Sequence, residues 1–150
     1  MLRVQHLTII LVLLVIGCKS TQQSKTAAYP IIILEKTTCF GTCPSFIFKV
    51  YPDGTVSYLG REFTERLGNF KATVSKEQLA ELRLKFDQAK FFSFANVYSA
   101  SIKDLPTTFL YYDDGSQNTK ITDYYGAPEE LKNLEVEIEK FIESIDWQKN

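Results

Sequence analysis

The chain has 150 residues, of which 45% are hydrophobic, 13% aromatic and 23% charged, and its formal net charge is −1. This length fits one domain of ordinary size, and the apolar and aromatic content excludes a disordered chain. The near-neutral charge argues against a nucleic-acid partner, because such a partner requires a basic face on the protein.

The N-terminus has the pattern of a secretory signal. Arg3 stands in a short polar start, and the ten residues Leu7–Ile16 are apolar except for Thr8. A membrane-spanning helix needs about 20 apolar residues, so this run has the length of a signal-peptide core rather than of a span. It leads into Val15-Ile16-Gly17-Cys18, which resembles the lipobox of bacterial lipoproteins.

The lipobox resemblance implies that residues 1–17 are a signal peptide and that Cys18 becomes the acylated N-terminus, carrying fatty acyl chains such as palmitate. Two or more acyl chains hold a protein stably on a membrane. Position 19 is Lys rather than the Asp that marks inner-membrane retention in enteric bacteria, so we expect an outer-membrane lipoprotein facing the periplasm. The alternative is an ordinary secretory signal followed by a chance cysteine.

Cleavage at this point restricts the chemistry of the mature chain. The only histidine is His6 and the only methionine is Met1, and both would be removed. Without them, Ser-His-Asp and Cys-His catalysis, His-ligated zinc and Met-rich copper sites are excluded. We therefore expect no catalytic residue, no cofactor and no metal.

A tether and a single domain follow the cleavage site. After the lipidated Cys18, residues 19–28 are polar, contain no acidic side chain and have no periodicity, which is typical of a flexible segment. Such a tether would hold the domain about 15–20 Å from the bilayer. We expect this domain to occupy residues 29–150.

The first half of the domain is predicted to be strands followed by a helix. Strands are indicated at 30–34, 46–50 and 55–59, and a further run alternates through Phe70, Ala72 and Val74. Tyr51-Pro52-Asp53-Gly54 is a turn in which Pro52 presets φ, Asp53 caps locally and Gly54 accepts positive φ. Ser75 and Gln78 match a capping box, and an apolar stripe follows at Leu79, Leu82, Phe86 and Ala89.

The second half repeats this order. Strands at 107–112 and 118–124 flank an Asp113-Asp114-Gly115 turn, and a helix opens at Pro128. The helix carries an apolar stripe, and Trp147 is expected to close the end of the core. We therefore predict a two-layer α+β fold, with two helices packed on an antiparallel sheet of about six strands built from hairpins.

The segment 93–106 lies between these halves and has no clear period. It is either a mobile binding loop or an undetected strand. We interpret it as a partly ordered loop anchored by Phe94, Val97 and Ile102.

Several short motifs recur in one order along the domain: Cys39-Phe40-Gly41-Thr42-Cys43-Pro44, the 51–54 turn, Tyr58-Leu59-Gly60, Asp104-Leu105-Pro106-Thr107-Thr108, and Tyr125-Gly126-Ala127-Pro128. Together with Leu131, Leu134 and Trp147, they resemble an uncharacterised family of bacterial lipoprotein and secreted domains with a Cys-x-Gly-x-Cys-Pro signature. The resemblance covers Ile31 to Trp147. It implies importance for Cys39, Gly41, Cys43 and Pro44, and it implies no activity and no catalytic residue.

Cys39 and Cys43 remain as a pair once lipidation uses Cys18. Outside the reducing cytosol paired thiols oxidise, and Gly41 and Pro44 permit a tight turn that brings the two α-carbons within disulfide reach. A structural disulfide is the main hypothesis. A redox-active pair is the second, and a cuprous site is the third, because the motif resembles that of thioredoxin-like copper chaperones. Those chaperones also use a distant histidine, which the mature chain would lack.

Three further patterns have a structural and a functional interpretation. The acidic row Glu135, Glu139, Glu143 and Asp146 is interpreted as a solvated helix face rather than a dock for a basic partner. The oxygen-bearing Asp113, Asp114 and Asn118 are interpreted as a plain hairpin turn, because they lack the spacing of a calcium loop.

Two tyrosine pairs are the third pattern: Tyr111 with Tyr112, and Tyr124 with Tyr125. Neighbouring strand residues point to opposite faces, so we expect one of each pair to be exposed. Cross-strand packing is favoured over binding of a glycan or peptide.

These observations predict a cell-envelope lipoprotein whose non-enzymatic domain binds or assists an envelope protein or glycan. The alternative is a thiol-disulfide or copper-handling protein that uses Cys39 and Cys43. A third interpretation is an inhibitor-like domain that inserts the 93–106 segment into another protein.

Replacing the predicted lipid attachment site tests the anchorage. Because the apolar run is too short to span a bilayer, Cys18→Ser should release or mislocalise the protein. Detergent partitioning and the intact mass of both forms measure this. A processed wild-type protein whose mass lacks acyl chains would contradict the prediction.

Overall fold

The computed structural model describes residues 28–150 of the chain. The predicted signal peptide, the lipidation site Cys18 and most of the predicted tether lie outside the described residues. Within residues 28–150, no helix is both long enough and apolar enough to cross a membrane.

The described residues form an α+β fold with two α-helices and one mixed, mostly antiparallel sheet. In chain order the elements are β1 (Ile32–Lys36), β2 (Ser45–Val50), β3 (Thr55–Glu62), β4 (Gly68–Thr73), α1 (Lys76–Gln88), β5 (Val97–Tyr98), β6 (Thr108–Asp113), β7 (Asn118–Asp123), α2 (Glu129–Glu143) and β8 (Gln148–Lys149), with a 3-10 turn at Phe91–Ser93. The strand order is β5-β7-β6-β1-β2-β3-β4-β8, and only the β5–β7 pair is parallel.

The sheet differs from the prediction in its strand count. All six predicted strands are present, but the sheet contains eight, because β5 and β8 add two-residue edge strands. A pair of residues is too short to display the period-2 pattern by which strands are recognised in a sequence.

Both predicted turns form as local sequence chemistry dictates. Gly54 has φ +83°, and a Cβ there would lie 2.8 Å from the Val74 carbonyl oxygen, while the Asp53 carboxylate accepts a hydrogen bond from the Thr55 N–H. In the second turn one carboxylate oxygen of Asp114 accepts from the backbone N–H groups of Ser116 and Gln117. These bonds lower the pKa of Asp114 to about 2. The interpretation of 113–118 as a hairpin turn is confirmed.

The helices begin close to where the sequence predicts. The Ser75 side chain accepts from the Gln78 N–H at 3.2 Å and the Gln78 side chain accepts from the Ser75 N–H at 2.8 Å, so the capping box is confirmed. Pro128 is the N-cap of α2 rather than its first helical residue.

The core lies between the two helices and one face of the sheet. Alternate residues of the long strands point into it and are buried, together with the apolar stripes of α1 and α2. Aromatic rings fill its centre: Phe86 stacks on Tyr112 with centroids 4.2 Å apart. Trp147 closes the end of the core between β3 and α2, as predicted. Its ring lies 5.6 Å from that of Tyr58, and its indole N–H donates to the Ile142 carbonyl.

The opposite face of the sheet is covered by no element among residues 28–150. Its half-buried apolar side chains are Ile33, Ile47, Leu59, Phe109 and Tyr111. Charged side chains lie across it, since the Lys120 ammonium is 4.3 Å from the Phe109 ring centroid and Arg61 pairs with Glu35 at 2.9 Å. We call this surface the open face.

The 93–106 segment is anchored differently from the prediction. Phe94 packs against the core as expected, but Val97 and Ile102 are exposed, so their predicted role as anchors is wrong. The reason is that Val97 and Tyr98 pair with β7, and successive strand residues face opposite sides. Tyr98 is therefore the inward anchor, and its hydroxyl also accepts the Ala95 N–H at 3.0 Å.

The tyrosine pairs follow the predicted alternation. Tyr112 is buried while Tyr111 lies on the open face, and Tyr125 is exposed while Tyr124 is half-buried. Tyr111 packs edge-on against Tyr29 with centroids 5.7 Å apart.

A truncation at the aromatic centre of the core should be severely destabilising. Phe86 is fully buried against Tyr112 and Phe91, so Phe86→Ala is expected to lower the free energy of unfolding by about 3–5 kcal/mol. The matched control is Leu84→Ala in the same helix, where the side chain is 51% exposed and the change is expected to stay within about 0.5 kcal/mol. Urea unfolding measures both, and equal losses would contradict the assignment of the core.

Candidate binding site at the loop end of the sheet

Four connecting segments leave the sheet at the same end: 37–44, 63–67, 99–107 and 124–128. Pairing fixes this placement, because Lys36 at the end of β1 lies opposite Phe46 of β2 and Thr108 of β6. We call this region the loop end. It also contains all or most of three motif segments singled out in the sequence, 39–44, 104–108 and 125–128, while the motif 58–60 lies in the adjoining strand β3.

Hydrogen bonds hold three of these segments together. The Thr37 N–H donates to the Thr107 carbonyl at 3.0 Å, and the Thr107 N–H donates to the Thr37 hydroxyl at 2.9 Å. The Tyr124 hydroxyl donates to the Ile102 carbonyl at 2.6 Å. The 37–44, 99–107 and 124–128 segments are thus joined to one another rather than being separate loops.

Cys39 and Cys43 form a disulfide, with α-carbons 5.6 Å apart. The bridge closes a short loop whose tip carries Phe40, 89% exposed, while the Phe40 N–H donates to the Asp104 carbonyl at 3.4 Å. Gly41 does not have a positive φ, and a Cβ there would make only an ordinary contact with the Cys39 sulfur at 3.6 Å. Neither the backbone conformation nor the space around position 41 therefore demands glycine.

Exposed apolar side chains concentrate at the loop end. Of the ten large hydrophobic residues that are most exposed on the described chain, six belong to these segments: Phe40, Phe63, Leu67, Ile102, Leu105 and Tyr125. Scattered exposed apolar residues are ordinary, whereas these six all lie at the same end of the sheet, a concentration that points to an interaction surface.

Two of these segments contain strained backbone. Phe63 has φ +52° and Asp104 has φ +71°, a left-handed conformation that non-glycine residues adopt at a cost of about 1–3 kcal/mol. Such strain persists where surrounding contacts impose it, and it clusters at functional sites.

A cavity of about 180 Å³ opens beside the disulfide loop. Pro44, Phe46, Tyr58, Phe63 and Ile142 supply its apolar walls, and its polar groups are Thr64, Glu65, Arg66, Glu139 and Glu143. Burial raises the pKa of Tyr58, which keeps its hydroxyl protonated.

Gly60 makes this cavity possible. The 63–67 segment folds back onto β3 so closely that a Cβ at Gly60 would lie 1.6 Å from the Arg66 carbonyl oxygen. The Thr64 hydroxyl donates to that same oxygen at 2.9 Å. A side chain at position 60 would therefore displace the wall that carries Phe63 and Arg66.

Residues 30–142 match the family model described as a domain of unknown function (DUF6438). The chain belongs to this family. The expectation of an uncharacterised domain family is confirmed, and the match includes all four segments of the loop end. No curated protein and no solved structure shows a detectable match to the chain.

One predicted feature of the DUF6438 domain is wrong: the acidic row of α2 is not wholly a solvated face. Glu135 is only 5% exposed and Glu139 is half-buried, whereas Glu143 and Asp146 are exposed as expected. The helix α2 crosses the end of the sheet. The first part of the row, Glu135 and Glu139, therefore faces β7 and β1, and only the later part reaches solvent. Glu139 accepts a charge-assisted hydrogen bond from Lys36 at 2.8 Å.

A buried carboxyl pair stands at the start of this row. Asp123 of β7 and Glu135 of α2 are both buried, and Lys132 pairs with Asp123 and lies 3.6 Å from Glu135. Burial, reinforced by the neighbouring Asp123 carboxylate and opposed by Lys132, raises the pKa of Glu135 to about 7. The raised pKa favours the protonated form of Glu135 over the carboxylate at mildly acid pH.

Among residues 28–150, no group of three or more His, Cys, Asp or Glu side chains is placed to hold a metal ion. Both sulfurs of the signature are engaged in the disulfide.

Sequence reasoning missed Gly60 as the support of the cavity and Lys36 as the partner of Glu139. A glycine inside a strand pattern signals a close backbone approach, so Gly60 could have been found. The Lys36–Glu139 pair spans 103 positions and leaves no local signal.

The carboxyl pair predicts how stability depends on pH. Glu135 has a pKa of about 7 in the folded state against 4.5 without the fold, so the unfolded chain loses its proton first as pH rises. Wild-type stability should therefore fall between about pH 4.5 and 7 through this group. The variant Glu135→Gln should lack this part of the loss of stability with rising pH, because glutamine does not titrate.

Urea unfolding of the wild type and of Glu135→Gln at pH 5, 6, 7 and 8 measures this effect. Glu130→Gln, an exposed change in the first turn of the same helix, is the matched control. Parallel profiles for wild type and Glu135→Gln would refute the assignment.

Proposed function

We propose that this chain is a lipid-anchored envelope protein whose DUF6438 domain binds a partner at the loop end and catalyses no reaction. The observation that carries the proposal is the concentration of exposed apolar side chains at one end of the sheet. Three of the four segments there are joined by hydrogen bonds, and a disulfide closes the 39–43 loop. Apolar residues held rigid at a surface are suited to binding, because little conformational entropy is lost when a partner covers them.

The direction of β1 supports the anchored arrangement. The chain enters β1 at Ile32 and reaches the loop end after Lys36, so the start of β1 lies at the end of the sheet opposite the loop end. Strands of five or six residues separate the two ends by roughly 17–20 Å. A lipid at Cys18 would thus tether the domain from the end opposite the loop end, leaving the loop end directed toward the periplasm from the outer membrane.

The polar groups of the loop end also favour binding. In the cavity, Glu139 is paired with Lys36 and Glu65 with Arg66, and burial raises the pKa of Tyr58 and keeps its hydroxyl protonated. None of these groups is an activated nucleophile. The one histidine lies in the segment that we expect to be cleaved.

The second candidate is thiol-disulfide or copper chemistry at Cys39 and Cys43. It draws support from the disulfide being half-exposed and placed beside a cavity. Alkylation of the purified protein separates the two functions. A binding domain should label at neither cysteine until reductant is added, whereas a redox or copper protein should present reactive thiols in a sizeable fraction of molecules.

Loss of the exposed ring at the loop tip tests the binding proposal. Phe40→Ser removes apolar surface without touching the core, so it should weaken complexes captured by in-cell crosslinking of the tagged lipoprotein by about tenfold or more, as expected of an interface anchor. Leu84→Ser is the matched control, because Leu84 is exposed on α1 away from the loop end. If both variants capture the same partners as wild type, the loop end is not the binding surface.

A further inference from the structure

We infer that the cavity at the loop end accepts a single basic side chain, lysine or arginine, of a partner polypeptide. This inference rests on the proposed function, since it names the chemistry that the binding surface recognises. It is carried by the size of the cavity, the nature of its walls and the charge around its mouth.

The size of the cavity restricts the occupant. Its volume of about 180 Å³ is below the roughly 300–1,000 Å³ of most small-molecule sites. The exposed residues of its lining are Pro44, Phe63, Glu65 and Glu143. Three of them belong to segments of the loop end, so the cavity is accessible from that surface. An occupant that reaches in from a chain lying across the surface fits this geometry, and one long side chain fills it.

The walls suit the aliphatic stem of such a side chain. Phe46 and Tyr58 are stacked with ring centroids 5.2 Å apart, and Ile142 of α2 stands with them in the lining. Lysine and arginine bury their methylene groups along apolar surface while the charged group stays near polar atoms. Aromatic rings in the wall also attract a cation.

The charges around the mouth favour a cation. Three carboxylates, Glu65, Glu139 and Glu143, line the cavity against one guanidinium, Arg66. Glu139 is neutralised by Lys36, and Glu65 lies 3.8 Å from Arg66. Glu143 has no ion-pair partner within residues 28–150, so it is the carboxylate left to meet an incoming positive charge.

The apolar rim then completes the interface. Phe63 borders the cavity directly, and Leu67 belongs to the same segment. Contacts of this kind exclude water from a central charged anchor, which strengthens its interaction. The partner is therefore a polypeptide that places a basic side chain within an apolar stretch.

Trp147 provides a built-in reporter of occupancy. It is the only tryptophan of the chain, and its ring lies 5.6 Å from that of Tyr58, a wall of the cavity. The purified, full lipoprotein in detergent is titrated with the capped pentapeptide Ala-Ala-Lys-Ala-Ala while Trp147 fluorescence is followed. Matched peptides carry arginine, norleucine or glutamate at the central position.

The lysine and arginine peptides should produce a saturable change in Trp147 fluorescence. The norleucine and glutamate peptides should bind more weakly by at least roughly two- to fivefold, because one partly screened ion pair contributes a factor of this size. Glu143→Gln should weaken the lysine peptide by a similar factor. Glu81→Gln, an exposed change on α1, should leave its affinity unchanged. Added salt should weaken the lysine peptide and not the norleucine peptide.

Equal binding of all four peptides, absence of any saturable change, or unchanged affinity in Glu143→Gln would each overturn the inference. Its failure is distinguishable from that of the proposed function. If Phe40→Ser loses the partner in cells but Glu143→Gln does not, the loop end binds its partner without a basic side chain in the cavity.

Discussion

Burial of a single face of the sheet determines the rest of this structure. Two helices supply enough apolar surface to cover one face, and the aromatic centre at Phe86 and Tyr112 joins α1 to the sheet. Helix α2 crosses the strand ends and brings Glu135 and Glu139 against β7 and β1. No element within residues 28–150 covers the open face, where charged side chains lie across the half-buried residues.

The same constraint explains why function is assigned to the loop end. The core is complete without the 37–44, 63–67 and 99–107 segments, whose exposed apolar residues add nothing to it. They are held instead by hydrogen bonds among themselves, by the disulfide and by the close approach of Arg66 to Gly60. Side chains that do not stabilise the core, on a backbone that is held in place, are available to a partner.

The elements that could be predicted are those with a local cause. Apolar β-branched composition, period-2 alternation and flanking turn residues mark the six long strands. Ser75 and Gln78 mark the start of α1, and Gly54 marks the turn between β2 and β3. The cysteine pair was also accessible, because compartment and spacing together favour a disulfide.

What could not be predicted depends on how elements pack. The burial of Glu135 follows from the direction in which α2 crosses the sheet, which no helical periodicity contains. The exposure of Val97 follows from the pairing of a two-residue strand with β7. The cavity depends on a contact between Gly60 and Arg66 that only the folded 63–67 segment creates.

The loop end is a surface built on the core and not part of it. Hydrogen exchange on the wild type and on the Cys39→Ala/Cys43→Ala variant tests this most directly. Closure of so short a loop contributes about 2 kcal/mol by the chain-entropy estimate. In the variant, protection should fall strongly in 37–44 and 99–107. Protection in the strands β1, β2 and β6 should fall by no more than this modest loss of stability produces. Loss of protection throughout those strands, to the same extent as in the loops, would contradict it.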